Sequence, residues 1–390
     1  MSEKLKVLTF CSWFPNRLKP TLGNFVQKHA ECAALYNEVI SLAIFPDTSI
    51  EKLEVSDTLN GSLREIVCYY PKKEKGWKPL RLLKNYLEHR RAFKASMELV
   101  NKQFGKPDIV HLNIVYPLGL WALWLKITKG IPYVITENSS GWHVTSEHAY
   151  PNSIRFLGKL VFRSASYILP VSENLKKNIQ ILAPKNKYAL ISNVVDEDLF
   201  QPQSVSTERF RFIHISTGVD EIKNLSGMIR VMAAIYSENQ TIELDIVSDG
   251  DIEYARKLAL ELQLPNSHLR FHSTKTTAEV AAMIQASNAL LMFSNYENFP
   301  CVIAEAMMCG KPVVSSNVNG IPEHVLPDVN GILVHPRDEK ALKNAMLNLA
   351  TTPNQFDEKT IRSYAEKHFG YREVGKAFTE IYEKVVNKNN

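Results

Sequence analysis

The stretch FRFIHISTGVDEIKNLSGMIRVMAAIYSENQTIELDIVS, residues 210–248, decides the fold. It opens on a short β-rich run (210–216), crosses a polar loop, continues as a helical apolar pattern (225–236) and closes on a second β-rich run, ELDIVS (243–248). Two strands joined through a helix are expected to lie parallel, because a tight hairpin cannot hold the intervening residues. Working outward, LRFHS (269–273), ALLMFS (289–294) and PVVSS (312–316) continue the series, with YARKLALELQL (254–264) as a further helix. The first half has the same rhythm: KVLTF (6–10), EVISLAI (38–44), DIVHLN (108–113), YVIT (133–136) and YILPVS (167–172), with NFVQKHAECAALY (24–36) as a helix. Two such series predict an α/β protein of two Rossmann-like parallel-sheet domains. The polar, proline-bearing run at 193–210 marks the boundary, giving domains 1–200 and 201–370. The amphipathic helix at 371–386 and its polar tail, 371–390, are expected to pack back on the first domain. Ligands in such sheets bind at the C-terminal ends of the strands, so an interdomain cleft that closes by a hinge is expected.

Composition agrees with a globular chain of this size. It has 390 residues, 45% hydrophobic and 22% charged, which favours two cores over one. The first residues, MSEKLKVLTFCSWF, hold too short an apolar run for a signal peptide. The most apolar stretch, IVYPLGLWALWL (114–125), is too short to span a bilayer and reads as a buried helix. A cytoplasmic location is therefore expected. Five cysteines (11, 32, 68, 301, 309) form no C-x-x-C pair and read as small buried hydrophobes. Charge is polarised: residues 1–200 carry a net +9 and residues 201–390 a net −4. Nine Lys/Arg against two Glu fall in 72–94 alone.

Residues 289–316 raise the chemical question. ALLMFS ends a strand, NYENF is a loop, Pro300 is placed at the first helical position, and Gly310 ends the helix. The backbone N–H groups near 299–302 then form a helix N-terminus suited to a phosphate. Glu305 lies inside the apolar segment CVIAEAMMC (301–309). A carboxylate stripped of water needs donors. Two ribose hydroxyls would serve, and so would backbone N–H groups or a distant arginine. Glu297 reads as an exposed loop acid facing the cleft.

Taken together, SNYENFPCVIAEAMMCGKPVVSSNVNGIPEHV (294–325), with its two glutamates separated by seven residues, and NGILVHPRD (330–338) resemble the family-4 glycosyltransferases. These are retaining enzymes of the GT-B fold. LDIVSDG, LRFHS, NLKKNI, ISNVVDEDLFQP and PDIVHLN have family counterparts in the same order. The resemblance implies that Glu305 holds the nucleotide ribose and Glu297 contacts the donor sugar. It implies that Asn298, Phe299 and Pro300 line the sugar pocket with their backbone, and that Lys223 neutralises the diphosphate. Gly23, in KPTLGNFVQKH, matches a glycine loop that approaches the diphosphate closely. Two positions depart from the family. Ser216 and Thr217 stand where an arginine is common, and Asn138, in TENSSGWH, stands where a histidine is frequent. Asn138 can orient a hydroxyl but cannot act as a base, and nearby His143 is the compensating candidate on the acceptor side.

The resemblance further implies transfer from a nucleotide-sugar to a saccharide or lipid-linked saccharide, of the kind used in bacterial surface polysaccharide assembly. No cofactor or metal is expected. DED (196–198) lies in the linker and DGD (249–251) matches a glycine turn. The alternatives are a catalytically silent GT-B protein that binds a nucleotide sugar or a partner, and a sugar-nucleotide epimerase on the same fold. The basic stretch 72–94, interleaved with Trp77, Leu80, Leu82, Leu83, Tyr86 and Phe93, is either a peripheral contact with an anionic inner-membrane face or a solvated amphipathic helix. No nucleic-acid-binding motif accompanies the charge.

Overall fold

The computed structural model describes residues 4–142, 149–204, 208–238 and 240–388. The chain divides into two compact units. The first comprises Met1–Val171, Leu175–Ser192 and Tyr371–Asn390, and the second Ser172–Asn174 and Asn193–Gly370.

The strands of the first unit are β1 (Lys6–Cys11), β2 (Glu38–Asp47), β3 (Glu54–Asn60), β4 (Leu63–Pro71), β5 (Ile109–Asn113), β6 (Tyr133–Glu137) and β7 (Tyr167–Pro170). They form one sheet in the order β3-β4-β2-β1-β5-β6-β7. All pairs are parallel except β3 with β4. Its helices are α1 (Asn24–Ala34), α2 (Lys78–Phe104), α3 (Gly119–Lys129), α4 (Asn152–Ser164) and, from the end of the chain, α13 (Tyr371–Val386); α5 (Glu173–Gln180) follows β7. The last helix is held by burial of Phe378, Ile381 and Tyr382, and by a 2.7 Å hydrogen bond between the Tyr382 hydroxyl and His111 Nδ1 on β5. His111 Nε2 pairs with the Thr136 hydroxyl at 2.8 Å, so this histidine is structural.

The second unit carries β8 (Phe210–Ser216), β9 (Ile242–Ser248), β10 (Leu269–His272), β11 (Ala289–Met292), β12 (Val313–Ser316) and β13 (Gly331–Val334), in the order β10-β9-β8-β11-β12-β13. Every pair is parallel. The helices are α6 (Asp220–Lys223), α7 (Leu225–Tyr236), α8 (Glu253–Glu261), α9 (Thr277–Gln285), α10 (Cys301–Met308), α11 (Glu339–Thr351) and α12 (Glu358–Phe369). Strand residues such as Phe212, Leu244, Leu290, Leu291, Val313 and Val314 are fully buried, as a sheet covered on both faces requires. Numbered from β8, the order is 3-2-1-4-5-6, the dinucleotide-binding arrangement. Its switch point lies between β8 and β11, where the connections leave in opposite directions and open a crevice at the strand C-termini. The first unit has an equivalent point between β1 and β5.

Two readings of the sequence are corrected. Residues 114–125 are not one buried helix: α3 starts only at Gly119, after Pro117, and Leu120, Trp124 and Ile127 on it are exposed. Pro300 is the N-cap of α10, in an extended conformation, and Cys301 is the first helical residue. The hairpin β3–β4 and the edge strand β13 were not anticipated.

Candidate functional site

The site in the second unit is built at the β8/β11 switch point. Beyond β8 the chain is held by local hydrogen bonds. The Ser216 hydroxyl accepts the Gly218 N–H (3.1 Å) and pairs with His214 Nε2 (2.7 Å). His214 Nδ1 pairs with the Leu291 carbonyl, and burial lowers the pKa of the ring to about 4, so it is neutral at physiological pH. Gly218 has φ +72°, and its carbonyl accepts the Tyr254 hydroxyl at 2.6 Å. A side chain on Gly250 would place its Cβ 2.0 Å from the Thr217 carbonyl oxygen, so only glycine fits there. Ser216 and Thr217 thus shape the loop. Asn224, in the left-handed region, accepts the Gly227 N–H and starts α7.

This frame carries Lys223 to the loop that follows β11. The Asn295 N–H donates to the Ile222 carbonyl and its side-chain amide to the Glu221 carbonyl, at 2.8 and 3.0 Å. Lys223 Nζ donates to Glu297 Oε1 at 2.5 Å, and the Ser294 hydroxyl donates to the same oxygen at 2.8 Å. Glu297 is therefore not an exposed loop acid. It is 8% exposed, because a cation and a hydroxyl compensate its burial. Both donors bind Oε1, and Oε2 has no hydrogen-bond partner among the described residues.

The Asn298 carbonyl is packed against Gly320, where a Cβ would come within 2.0 Å of it. The Phe299 carbonyl accepts the Asn193 side-chain amide at 2.8 Å, while the Phe299 ring is buried and stacks on Phe369. The Asn298 and Phe299 carbonyls are thus both in contact with protein, and the Phe299 side chain is turned into the core. From the Pro300 cap, α10 runs through half-buried Cys301 and the buried residues Val302 to Met308 to Gly310, whose φ of +70° closes the helix. The Gly310 N–H meets the Met307 carbonyl and the Lys311 N–H the Ala306 carbonyl, the two bonds of a Schellman stop. Glu305 is 8% exposed, one turn into this helix.

The decoy triplets have local employment. Asp196 Oδ1 accepts the Asp198 and Leu199 N–H groups, and Asp251 Oδ1 accepts the Glu253 N–H.

In the first unit, Gly23 caps α1 with φ +66°. A Cβ there would fall 2.6 Å from the Trp13 carbonyl carbon and 2.8 Å from the Phe14 nitrogen, so the position demands glycine. Asn138 follows β6, and its N–H donates to Glu137 Oε1 at 3.0 Å. His143 lies outside the described residues. Glu137 escaped the sequence reading. It is fully buried and also accepts the N–H groups of Val115 and Ser139, at 3.0 and 2.8 Å. Burial pushes its carboxyl up to about 7 against the pull of those donors. The signal available was an acid closing the apolar strand YVITE.

The structure thus brings Lys223 and Glu297 into contact, sets Asn298, Phe299 and Pro300 on the same loop, and places Glu305 on the helix that loop starts. Gly23 and Asn138 belong to the other unit.

Residues 195–368 match the family model described as glycosyl transferases group 1, and residues 55–199 match that of glycosyltransferase family 4. Together they span residues 55–368, well over half of the chain. The MMP alpha-(1->4)-mannosyltransferase of Mycolicibacterium hassiacum is 29% identical over 305 residues, 72% of this chain and 72% of that protein. Sucrose-phosphate synthase from Thermosynechococcus elongatus has a similar structure, with TM-score 0.79 and 19% identity over 99% of this chain and 100% of that one. Anabaena HepE in complex with UDP gives 0.74 and 17%, over 97% and 100%. These structural likenesses speak for the GT-B fold. With both units matched to glycosyltransferase families, the chain belongs to the family-4 glycosyltransferases and is an enzyme of that class.

Proposed function

We propose that the chain is a retaining, metal-independent glycosyltransferase that moves a sugar from a nucleotide-sugar to a saccharide or lipid-linked saccharide. The carrying observation is the meeting of Lys223 and Glu297 at the switch point between β8 and β11. Strand ends at a switch point are where α/β sheets take nucleotides. The Lys223 ammonium has donors to spare for a diphosphate, and Glu297 Oε2 is available to a sugar hydroxyl. Glu305 is assigned to the ribose hydroxyls, with the backbone of Asn298, Phe299 and Pro300 beside the sugar and Gly23 permitting close approach of the diphosphate. Asn138 and His143 are assigned to the acceptor.

The reaction needs no side-chain base. The bond between the sugar C1 and the phosphate oxygen breaks, and the acceptor oxygen bonds to C1 on the same face. The acceptor's proton passes to the departing phosphate oxygen. Lys223 stabilises the charge that accumulates there, and a positioned lysine is suited to that task.

The proposed setting is bacterial surface polysaccharide assembly, in the cytoplasm at the inner face of a membrane. No helix among the described residues is long and apolar enough to cross a membrane. The first half of α2 supports peripheral contact: Trp77, Leu80, Leu82, Leu83, Tyr86 and Leu87 are all exposed there, among basic residues. Neutralising the charges of 72–94 is expected to release the protein from anionic vesicles and leave donor hydrolysis unchanged. Equal vesicle binding by both forms rejects the membrane contact.

The test of the whole reading is a thermal-shift screen against UDP-, GDP-, ADP- and dTDP-sugars, with and without EDTA, followed by NMR of the product anomer. A donor that stabilises the protein in EDTA and yields a product of the donor's own anomeric configuration supports it. Inversion at C1, or turnover that EDTA abolishes, rejects the mechanism.

A further inference from the structure

The buried residues of α2 are Ala92, Phe93, Ser96, Met97, Val100 and Phe104, all in its C-terminal half. Along that half, α2 and α3 leave between them a groove of about 930 Å³, at the upper end of the roughly 300–1,000 Å³ usual for small-molecule pockets. Its floor is apolar: Phe93, Met97, Trp121, Trp124, Leu125 and Ile131. The aromatic rings are locked together, Phe93 stacking on Trp121 at 4.0 Å and Trp124 standing edge-on to both. Trp124 is nevertheless 43% exposed. The rim is cationic, with Arg90, Lys94, Lys106 and Lys129 against the single acid Glu98.

Topology separates this groove from the sugar chemistry. Lys106 and Pro107 precede β5, and Lys129 and Ile131 precede β6, so one end of the groove lies at the N-terminal ends of the strands. Gly23 and Asn138 follow the C-terminal ends of β1 and β6. The other end continues into the exposed apolar face of α2: Leu82 and Tyr86 are exposed and lead at helical spacing to the buried Phe93 and Met97.

An apolar trough with a positive rim complements a molecule with a chain and a negative head. We infer that the groove between α2 and α3 binds one anionic phospholipid of the bilayer, its acyl chain lying on Trp121 and Trp124 and its phosphate held by Arg90 and Lys94. Charge complementarity selects this occupant: the helix of a partner protein would fill the floor but has no need of four cations around it. The inference rests on the membrane contact proposed for 72–94 and extends it from adsorption on headgroups to capture of a single lipid.

The experiment uses the full chain carrying Trp77→Phe, which removes the exposed indole outside the groove. Tryptophan fluorescence is read on vesicles of phosphatidylcholine mixed with phosphatidylglycerol brominated in mid-chain, against the same lipids without bromine. Quenching is expected, and Trp124→Glu is expected to abolish it and weaken vesicle binding at least tenfold with an unchanged melting temperature. Arg90→Glu with Lys94→Glu is expected to remove the preference for phosphatidylglycerol. Monomeric dihexanoyl phosphatidylglycerol provides a membrane-free arm and is expected to bind one to one. Vesicle binding without quenching, and without uptake of the short lipid, overturns the groove while leaving the surface contact standing. Uptake of the short lipid by a protein that ignores vesicles rejects the surface contact and keeps the groove. Equal quenching in Trp124→Glu, or a stable dimer that buries Trp124, also overturns the lipid assignment.

Discussion

Separating Lys223 from Glu297 is the most informative perturbation of the site. Their side chains are 15% and 9% exposed, and the ions lie 2.5 Å apart. At an effective dielectric near 20 the Coulomb attraction at that distance is roughly 7 kcal/mol, offset in large part by the cost of removing both ions from water. Among the described residues, Glu297→Ala leaves the ammonium without its carboxylate, and Lys223→Ala leaves the carboxylate with the Ser294 hydroxyl alone. Each single change is expected to cost about 3 kcal/mol of stability, the low end of the range for breaking a buried pair. The double variant should cost about 4 kcal/mol, because neither charge is then stranded, giving a coupling near 2 kcal/mol. Urea denaturation of the four proteins measures it. Both single variants should also lose transfer, since each removes one of the two groups assigned to the sugar diphosphate. A coupling below about 0.5 kcal/mol refutes the reasoning, because the pair then makes no net contribution to holding the two loops.

Gly320→Ala puts a Cβ into the Asn298 carbonyl; it should cost about 1–3 kcal/mol and weaken donor binding, read by thermal shift with and without donor. Gly310→Ala forces an L-residue to φ +70° and into Glu358; a loss of at least about 1 kcal/mol is expected, and a neutral outcome in denaturant melts rejects the Schellman stop as a determinant. Burial lowers the pKa values of His29 and His214 to about 4. As pH falls below 6.5 the unfolded chain takes up these protons first, so their contribution is intact above 6.5 and lost on the way to 4, at about 1.4 kcal/mol per pH unit and histidine. Glu137 has the opposite sign: its carboxyl, raised by burial from 4.5 to about 7, penalises folding in full above 7, and the penalty is relieved as pH falls from 7 to 4.5. Denaturation series with His214→Gln and Glu137→Gln separate the two, and an unchanged acid slope in the histidine variant contradicts its assignment.

The strongly patterned elements were the legible part of the fold. β8, α7 and α13 were read to the residue from the sequence, because strands covered on both faces and strongly amphipathic helices leave periodic apolar patterns. β3 was not legible: every residue of EVSDTLN is exposed, so nothing but pairing with β4 makes it a strand. Residues 114–125 misled because apolar composition does not say which face is covered; Trp124 and Leu120 stay exposed on α3. In the site, the position of Glu305 on a buried helix was readable from its neighbours. The burial of Glu297 was not, because its partner Lys223 lies 74 residues away and only the β8–β11 adjacency brings them together. Glu137 was passed over for a related reason: its donors are backbone N–H groups, two of them from the very loop that follows it, and backbone groups leave no mark in a sequence.

Glu305 is the group proposed to grip the nucleoside. Titration calorimetry with UDP, GDP, ADP and dTDP on the native protein and on Glu305→Ala tests this directly. Loss of charged hydrogen bonds of about 1.5–3 kcal/mol predicts binding weaker by roughly 10- to 150-fold for the preferred nucleotide. Equal affinity in a variant with an intact melting transition would contradict it.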